Sequence, residues 1–204
     1  QRKVYHRAAR QIFYPNFFIG LVGSSGSRKS TALKLQVELL KDVGIELGAT
    51  VTSKEKLILN LEAVNKGDNL DVESRLKQIS FDIPVPPHAS LTAIVSELII
   101  FFPSWDTDFI GHLCELYDCN DTFVYDTIKR GRTSVENVWF NLIGGITPEE
   151  LKRRLTPEVV GTGLTGRFIF VYASEPAKRR ARIVETEEQK TLKQTLLRDL
   201  RDIY

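Results

Sequence analysis

Methionine is wholly absent from the 204 residues, and cysteine occurs only twice, as Cys114 and Cys119. Two cysteines exclude a disulfide framework and suit a reducing compartment, so a cytoplasmic location is expected. The missing methionine points to a biased composition or to residues dropped between apparent neighbours, so spacings across polar loops carry little weight. Long apolar runs are lacking too. The longest, such as residues 98–102, fall far short of the roughly 20 residues that span a bilayer, and no charged-then-apolar leader opens the chain, so no membrane partner is expected. Excess charge of one sign is missing as well: Lys plus Arg is 28 against 26 Asp plus Glu, a formal charge of +2. A surface that binds polyanions over its whole extent is thereby excluded, and any nucleic-acid contact must be local. A start on Gln1 reads as a piece of a longer protein whose upstream region is missing.

What is present suffices for one substantial core, since 42% of the residues are hydrophobic and 26% charged. Residues 17–23 (FFIGLVG) suit a fully buried strand, and residues 30–41 suit a helix after a glycine-serine loop. A second helix is expected in residues 54–64 with Ser53 as its cap, then a polar break at residues 65–71. Residues 76–83 read as a strand stopped by Pro84, Pro86 and Pro87. Residues 91–96 read as a buried strand with Glu97 at its end, and residues 108–117 as a helix with Ile110, Leu113, Leu116 and Tyr117 on one face. Residues 123–127 and 133–138 form a hairpin that continues directly into a buried strand at 139–143. Thr147-Pro148-Glu149-Glu150 opens a short helix with a cap, a proline and first-turn acids. Arg167 heads a last strand over 167–173, and a terminal helix runs near 185–204. Strands separated by helices imply an α/β sandwich with a mostly parallel sheet.

The chemistry concentrates in Gly23-Ser24-Ser25-Gly26-Ser27-Arg28-Lys29-Ser30-Thr31, which fits G-x-x-x-x-G-K-[ST] except that Arg28 takes the second glycine position. Such a loop works because successive N–H groups converge on phosphate oxygens at a helix N-terminus. Lys29 would reach the β and γ phosphates of ATP, Ser30 would hold Mg²⁺, and Gly26 would relieve crowding near the phosphates. Arg28 must then adopt backbone angles that glycine usually supplies. A plain glycine-serine turn is the bland alternative. Glu97 is the candidate to activate water and to support the metal, or else it only caps a helix over 98–102. Thr147, with Asn141 behind it, is the candidate to touch the γ-phosphate, and Thr147 equally reads as a helix cap.

Segments 23–35, 90–102, 113–132, 137–151 and 159–180 resemble the P-loop ATPase modules of phage, plasmid and bacterial replication proteins that often follow a primase-like domain. The Arg-Lys-Ser variant of the loop is similar to that setting too. The resemblance implies a RecA-like P-loop NTPase core with a β-hairpin insertion, assembly into a homo-oligomeric ring, and a helicase-like role on single-stranded DNA beside a primase-like domain or protein. By motif position it makes Arg167 the arginine that reaches a neighbouring subunit's nucleotide, with Arg153 and Arg154 as weaker choices, against a strand-edge arginine paired with a surface acid. The expected organisation is an N-terminal lead-in over 1–16, an ATPase domain over 17–176, and a basic linker with a terminal helix over 177–204.

Lys129, Arg130 and Arg132 at the hairpin tip are candidates to grip nucleic-acid phosphates, or form a solvated turn. Residues 178–182 (KRRAR) read as a solvated linker. His112, Cys114 and Cys119 offer too few ligands for a closed zinc site, and the cysteines read as packing residues. Two other functions compete with the motor: a nucleotide-gated loader or assembly switch with little turnover, supported by Ser96 where an acid is usual and by Arg28 in the loop, and a small-molecule kinase, for which no acceptor motif is visible.

Overall fold

The computed structural model describes residues 4–45, 47–48, 50, 53–66, 88–101, 107–128, 131–174 and 186–203. The strand expected at 76–83 with its prolines, most of the polar break at 65–71, Lys129, Arg130 and the basic stretch 178–182 lie outside the described residues.

Four parallel strands form the centre, in the order β4-β7-β3-β8: β3 (Phe18–Val22), β4 (Ala89–Val95), β7 (Val138–Ile146) and β8 (Phe168–Tyr172). Outside β4, Leu47 makes a parallel bridge to Thr92. Parallel neighbours need crossovers, and helices supply them: α1 (Lys29–Asp42) follows β3, α2 (Lys54–Lys66) precedes β4, and α3 (Leu98–Phe101) and α4 (Thr107–Tyr117) follow β4. Two capped helices, α5 (Pro148–Arg154) and α6 (Pro157–Gly161), lead to a 3-10 turn at Thr165–Arg167 that opens β8. The chain is completed by α7 (Glu187–Ile203).

The core lies on one face of the sheet. Phe18, Phe140 and Leu142 alternate inward with Leu91 and Ala93, against Leu57 and Leu61 of α2 and Ile110 and Leu113 of α4. Phe18 is fully buried, and its ring meets Tyr117, Phe140 and Phe168 at 5.1–5.7 Å. Truncating it to alanine would cost about 3–5 kcal/mol. The other face is less covered. Ile19, Leu21, Trp139 and Ile143 are half-buried there, and β8 exposes Ile169 and Val171 on that face; at this end of the sheet Phe170 and Tyr172, in register with Gly20 and Val22 on the core side, are exposed as well. The strands at 17–23 and 139–143 are therefore buried on one face only, because α2 and α4 both pack on the same side.

Two antiparallel hairpins flank the sheet. β5 (Thr122–Thr127) pairs with β6 (Gly131–Glu136), as the sequence implies. The expected direct continuation into the next strand is corrected: Asn137 takes φ 52, breaks the run after Glu136 and turns the chain into β7. Asparagine tolerates that left-handed geometry, and its N–H donates to the Asp121 carbonyl at 2.8 Å. The second hairpin, β1 (His6–Ala8) with β2 (Gln11–Phe13), falls in a stretch with no strand expectation.

Candidate functional site

Gly23 follows β3 and donates its N–H to the Ile146 carbonyl at 3.1 Å, which ties the start of the loop to the end of β7. A Cβ there would lie 2.7 Å from Ser27 Oγ and 3.0 Å from the Ala173 carbonyl, so the position is closed to larger residues. Gly26 differs: the space around it is open, and what it supplies is φ 80 rather than relief from crowding. Ser27 N–H closes a turn onto the Ser24 carbonyl at 3.2 Å. Arg28 is the N-cap of α1, with φ 64 and ψ 20. A left-handed non-glycine residue costs about 1–2 kcal/mol. The loop thus keeps the geometry that its glycine spacing implies, with arginine under strain at the second glycine position.

Helix α1 begins directly on Lys29. Its first N–H groups have no intrahelical partner, as at every helix start. Among the described residues, the N–H groups of Gly26, Arg28, Lys29 and Ser30 donate to no backbone carbonyl. The Lys29 ammonium folds back into the loop, donating to the Gly23 carbonyl at 2.6 Å, the Ser24 carbonyl at 2.9 Å and Ser27 Oγ at 3.2 Å. Ser24 Oγ donates to the Ser174 carbonyl at 3.3 Å, joining the loop to the chain just after β8. Ser25, Ser30 and Thr31 are exposed.

Parallel register brings the carboxyl ends of all four strands to this edge. Val22 lies beside Ile146 and Tyr172, and Val95 beside Gly144. Ligands of open α/β sheets bind at such an edge. Glu97 stands two residues beyond β4, half-buried, and its carboxylate has no hydrogen-bond or ion-pair partner among the described residues. Its carbonyl accepts from Ile100 N–H at 3.1 Å, so the backbone of Glu97 also opens α3. Thr147 follows Ile146, the residue whose carbonyl receives Gly23 N–H, and its hydroxyl accepts from Glu150 N–H at 3.3 Å. The cap is present, and the hydroxyl retains a proton to donate.

Gly144 and Gly145, near the end of β7, are what let these pieces meet. A Cβ on Gly144 would lie 2.5 Å from Val95 and 2.7 Å from Leu98. One on Gly145 would lie 2.6 Å from the Ser96 carbonyl and 3.5 Å from Lys29 Cε. The end of β4 and the stem of Lys29 therefore approach across a bare backbone. The available signal was the paired glycine two residues before a capping threonine.

Other candidates sit elsewhere. Asn141 lies about 17 Å from the tip of β7 at the rise of a strand, level with the amino end of β3, where its Oδ1 accepts from Phe17 N–H at 2.9 Å. The expectation that it stands behind Thr147 is corrected accordingly. Arg167 is also at the amino edge, one residue before the Phe168–Phe18 pair. Its guanidinium makes a two-pronged pair with Asp118 at 3.0 and 2.8 Å, donates to the Gly163 carbonyl at 3.2 Å and lies 5.9 Å from the Tyr117 ring. Arg153 pairs with Glu150 on α5. Arg132 is exposed on β6, across from Asp126.

The two cysteines are buried. The Cys114 thiol contacts the Thr162 carbonyl at 3.7 Å, and burial pushes its pKa up, which keeps it protonated and unreactive. His112 packs edge-on against Phe123 and Tyr125. No group of three or more metal-ligating side chains forms among the described residues. Compared with protein-family models and with curated proteins, the chain matches none.

Proposed function

We propose that the chain is the ATP-binding and ATP-hydrolysing motor module of a mobile-element replication protein. The observation that carries this reading is the loop itself: among the described residues, the N–H groups at the start of α1 have no partner and the lysine ammonium beside them is held only by loop carbonyls and one hydroxyl. That combination suits a polyphosphate, because oriented amides and a helix N-terminus favour anions. In the proposed reaction the N–H groups of Gly26, Arg28, Lys29 and Ser30 receive phosphate oxygens. Lys29 leaves the Gly23 and Ser24 carbonyls and spans the β and γ phosphates. The Ser30 hydroxyl and the unpartnered Glu97 carboxylate are the oxygen donors that suit Mg²⁺, which supplies charge neutralisation on the phosphates. Glu97 takes a proton from the attacking water while that oxygen bonds to the γ-phosphorus. The bond to the β–γ bridging oxygen breaks, and ADP and phosphate leave. Thr147 donates its hydroxyl proton to the γ-phosphate while still capping α5.

The helicase-like action on single-stranded DNA, the homo-oligomeric ring, the primase-like partner and the cytoplasmic setting rest on the family resemblance of the segments named above. One feature favours the nucleotide-gated switch instead: the residue before Glu97 is Ser96, which leaves this strand end with a single carboxylate. Turnover decides between the two. Wild type is expected to hydrolyse ATP with Mg²⁺, faster with single-stranded DNA, and Glu97→Gln to lose about 10²- to 10⁴-fold while still binding nucleotide. ATP binding without turnover in wild type would establish the switch.

A further inference from the structure

The first 37 residues contain no aspartate or glutamate; Glu38 is the first acid in the chain. They carry seven of the 28 cations, which leaves 21 cations against all 26 acids in the remainder. The near-neutral total conceals a basic N-terminal part and an acidic body.

Two of these cations, Arg7 and Arg10, sit on the β1–β2 hairpin. All six strand residues are exposed, on both faces, and a lone two-stranded hairpin is marginal in water. Its register pairs His6 with Phe13 and Arg7 with Ile12, across a two-residue turn of Ala9 and Arg10 in which Ala9 takes φ 53. Side chains alternate between faces. Arg7 and Ile12 therefore share one face with Tyr5 and Tyr14, whose rings stand 6.4 Å apart, and His6 and Phe13 share the other. Tyr5 is 59% exposed and Phe13 52%. The hairpin's root, by contrast, is clamped: buried Asn16 donates to the Tyr117 carbonyl at 2.7 Å, and Phe17 is bonded to Asn141 and Leu142. A rigid root bears an arm of cations and open aromatic rings with no acid among them.

We infer that the β1–β2 hairpin is a binding arm for single-stranded nucleic acid. Arg7 and Arg10 meet backbone phosphates, and Tyr5 and Phe13 offer faces on which unpaired bases stack, without reading sequence. Duplex hides its base faces, so the aromatic part of the arm discriminates against it. The hairpin leads into the amino end of β3, whose carboxyl end is the phosphate loop, so strand and nucleotide occupy opposite edges of the sheet without competing. This inference deepens the proposed motor reading, and its test is independent of ATP.

Fluorescence anisotropy of a labelled 20-nucleotide oligo(dT) with the full 204-residue chain supplies the test. Wild type is expected to prefer the single strand to a duplex of equal length. Arg7→Ala with Arg10→Ala is expected to weaken binding about tenfold or more at low salt and to flatten the salt slope by roughly 1.4, since each single-strand phosphate contact contributes about 0.7. Tyr5→Ala with Phe13→Ala is expected to weaken binding about tenfold with the slope unchanged. These side chains are exposed, so the melting temperature should hold, and Lys29→Ala should bind oligo(dT) like wild type. Unchanged affinity in both hairpin variants overturns the inference. So does an equal loss on duplex with no effect of the aromatic pair, or vesicles of anionic phospholipid that lose binding in the variants while oligo(dT) does not. Binding that behaves as expected in a chain without ATPase activity would sink the motor reading and leave the arm standing.

Discussion

Arg28 concentrates the tension in the site at the scale of one residue. Its φ of 64 is what the second glycine of a phosphate loop provides at no cost, and here an arginine provides it. Arg28→Gly should therefore stabilise the fold by about 1 kcal/mol, the left-handed penalty less glycine's larger unfolded-state entropy. Urea denaturation checks this; a destabilised variant would mean that the Arg28 side chain contributes more than its backbone costs. Asp108 shows a titrating residue. The Lys54 ammonium hydrogen-bonded to it holds its carboxyl below the usual range. A lowered carboxylate contributes stability that is present above its unfolded value near pH 4 and lost as pH falls through the folded value. Asp108 is exposed and Lys54 half-buried, so solvent screens the pair: Asp108→Asn should cost less than about 1 kcal/mol at pH 7, and the gap to wild type should close in acid below pH 4. A gap that widens in acid would contradict the assignment.

At the scale of elements, the glycine pair at the end of β7 decides whether the site assembles. Gly144→Ala would press a methyl against Val95 and Leu98, a misfit of about 1–3 kcal/mol by the usual cost of overpacking. It should also cut turnover, because the strand that shifts is the one carrying Glu97. Unfolding curves and ATPase rates read the two effects separately, and a fully stable, fully active Gly144→Ala would refute the close approach. Arg167 separates two roles. Its fork to Asp118 ties the end of α4 to the start of β8, so Arg167→Ala should lose about 1–2 kcal/mol and a few degrees of melting temperature. Unchanged melting with abolished turnover would instead assign it to a neighbouring subunit's nucleotide.

The elements carrying the loop were legible because local signals agreed: an apolar β-rich run, a glycine-serine loop, then good helix formers. The same holds for α4 and for the cap of α5, where Thr147 and Pro148 announce the helix. Three features were not legible. Apolar runs at 17–23 and 139–143 do not say whether one face or two are covered, since that depends on where α2 and α4 pack. The break at Asn137 is a single left-handed residue inside a β-rich stretch. Hairpin β1–β2 lacks the glycine or Asn-Gly turn that marks such loops, because Ala9 supplies the positive φ.

Across the whole molecule, the two edges of the sheet carry different groups. Its carboxyl edge gathers the loop, Glu97 and Thr147, while its amino edge carries the Arg167 fork, the Asn141 clamp and the basic arm. Whether the loop holds a nucleoside triphosphate is read by equilibrium titration of Mg·ATP into wild type and Lys29→Ala by calorimetry. Saturable one-to-one binding is expected in wild type, weakened at least tenfold in Lys29→Ala at unchanged melting temperature. No binding to wild type, or equal binding to both, would contradict it.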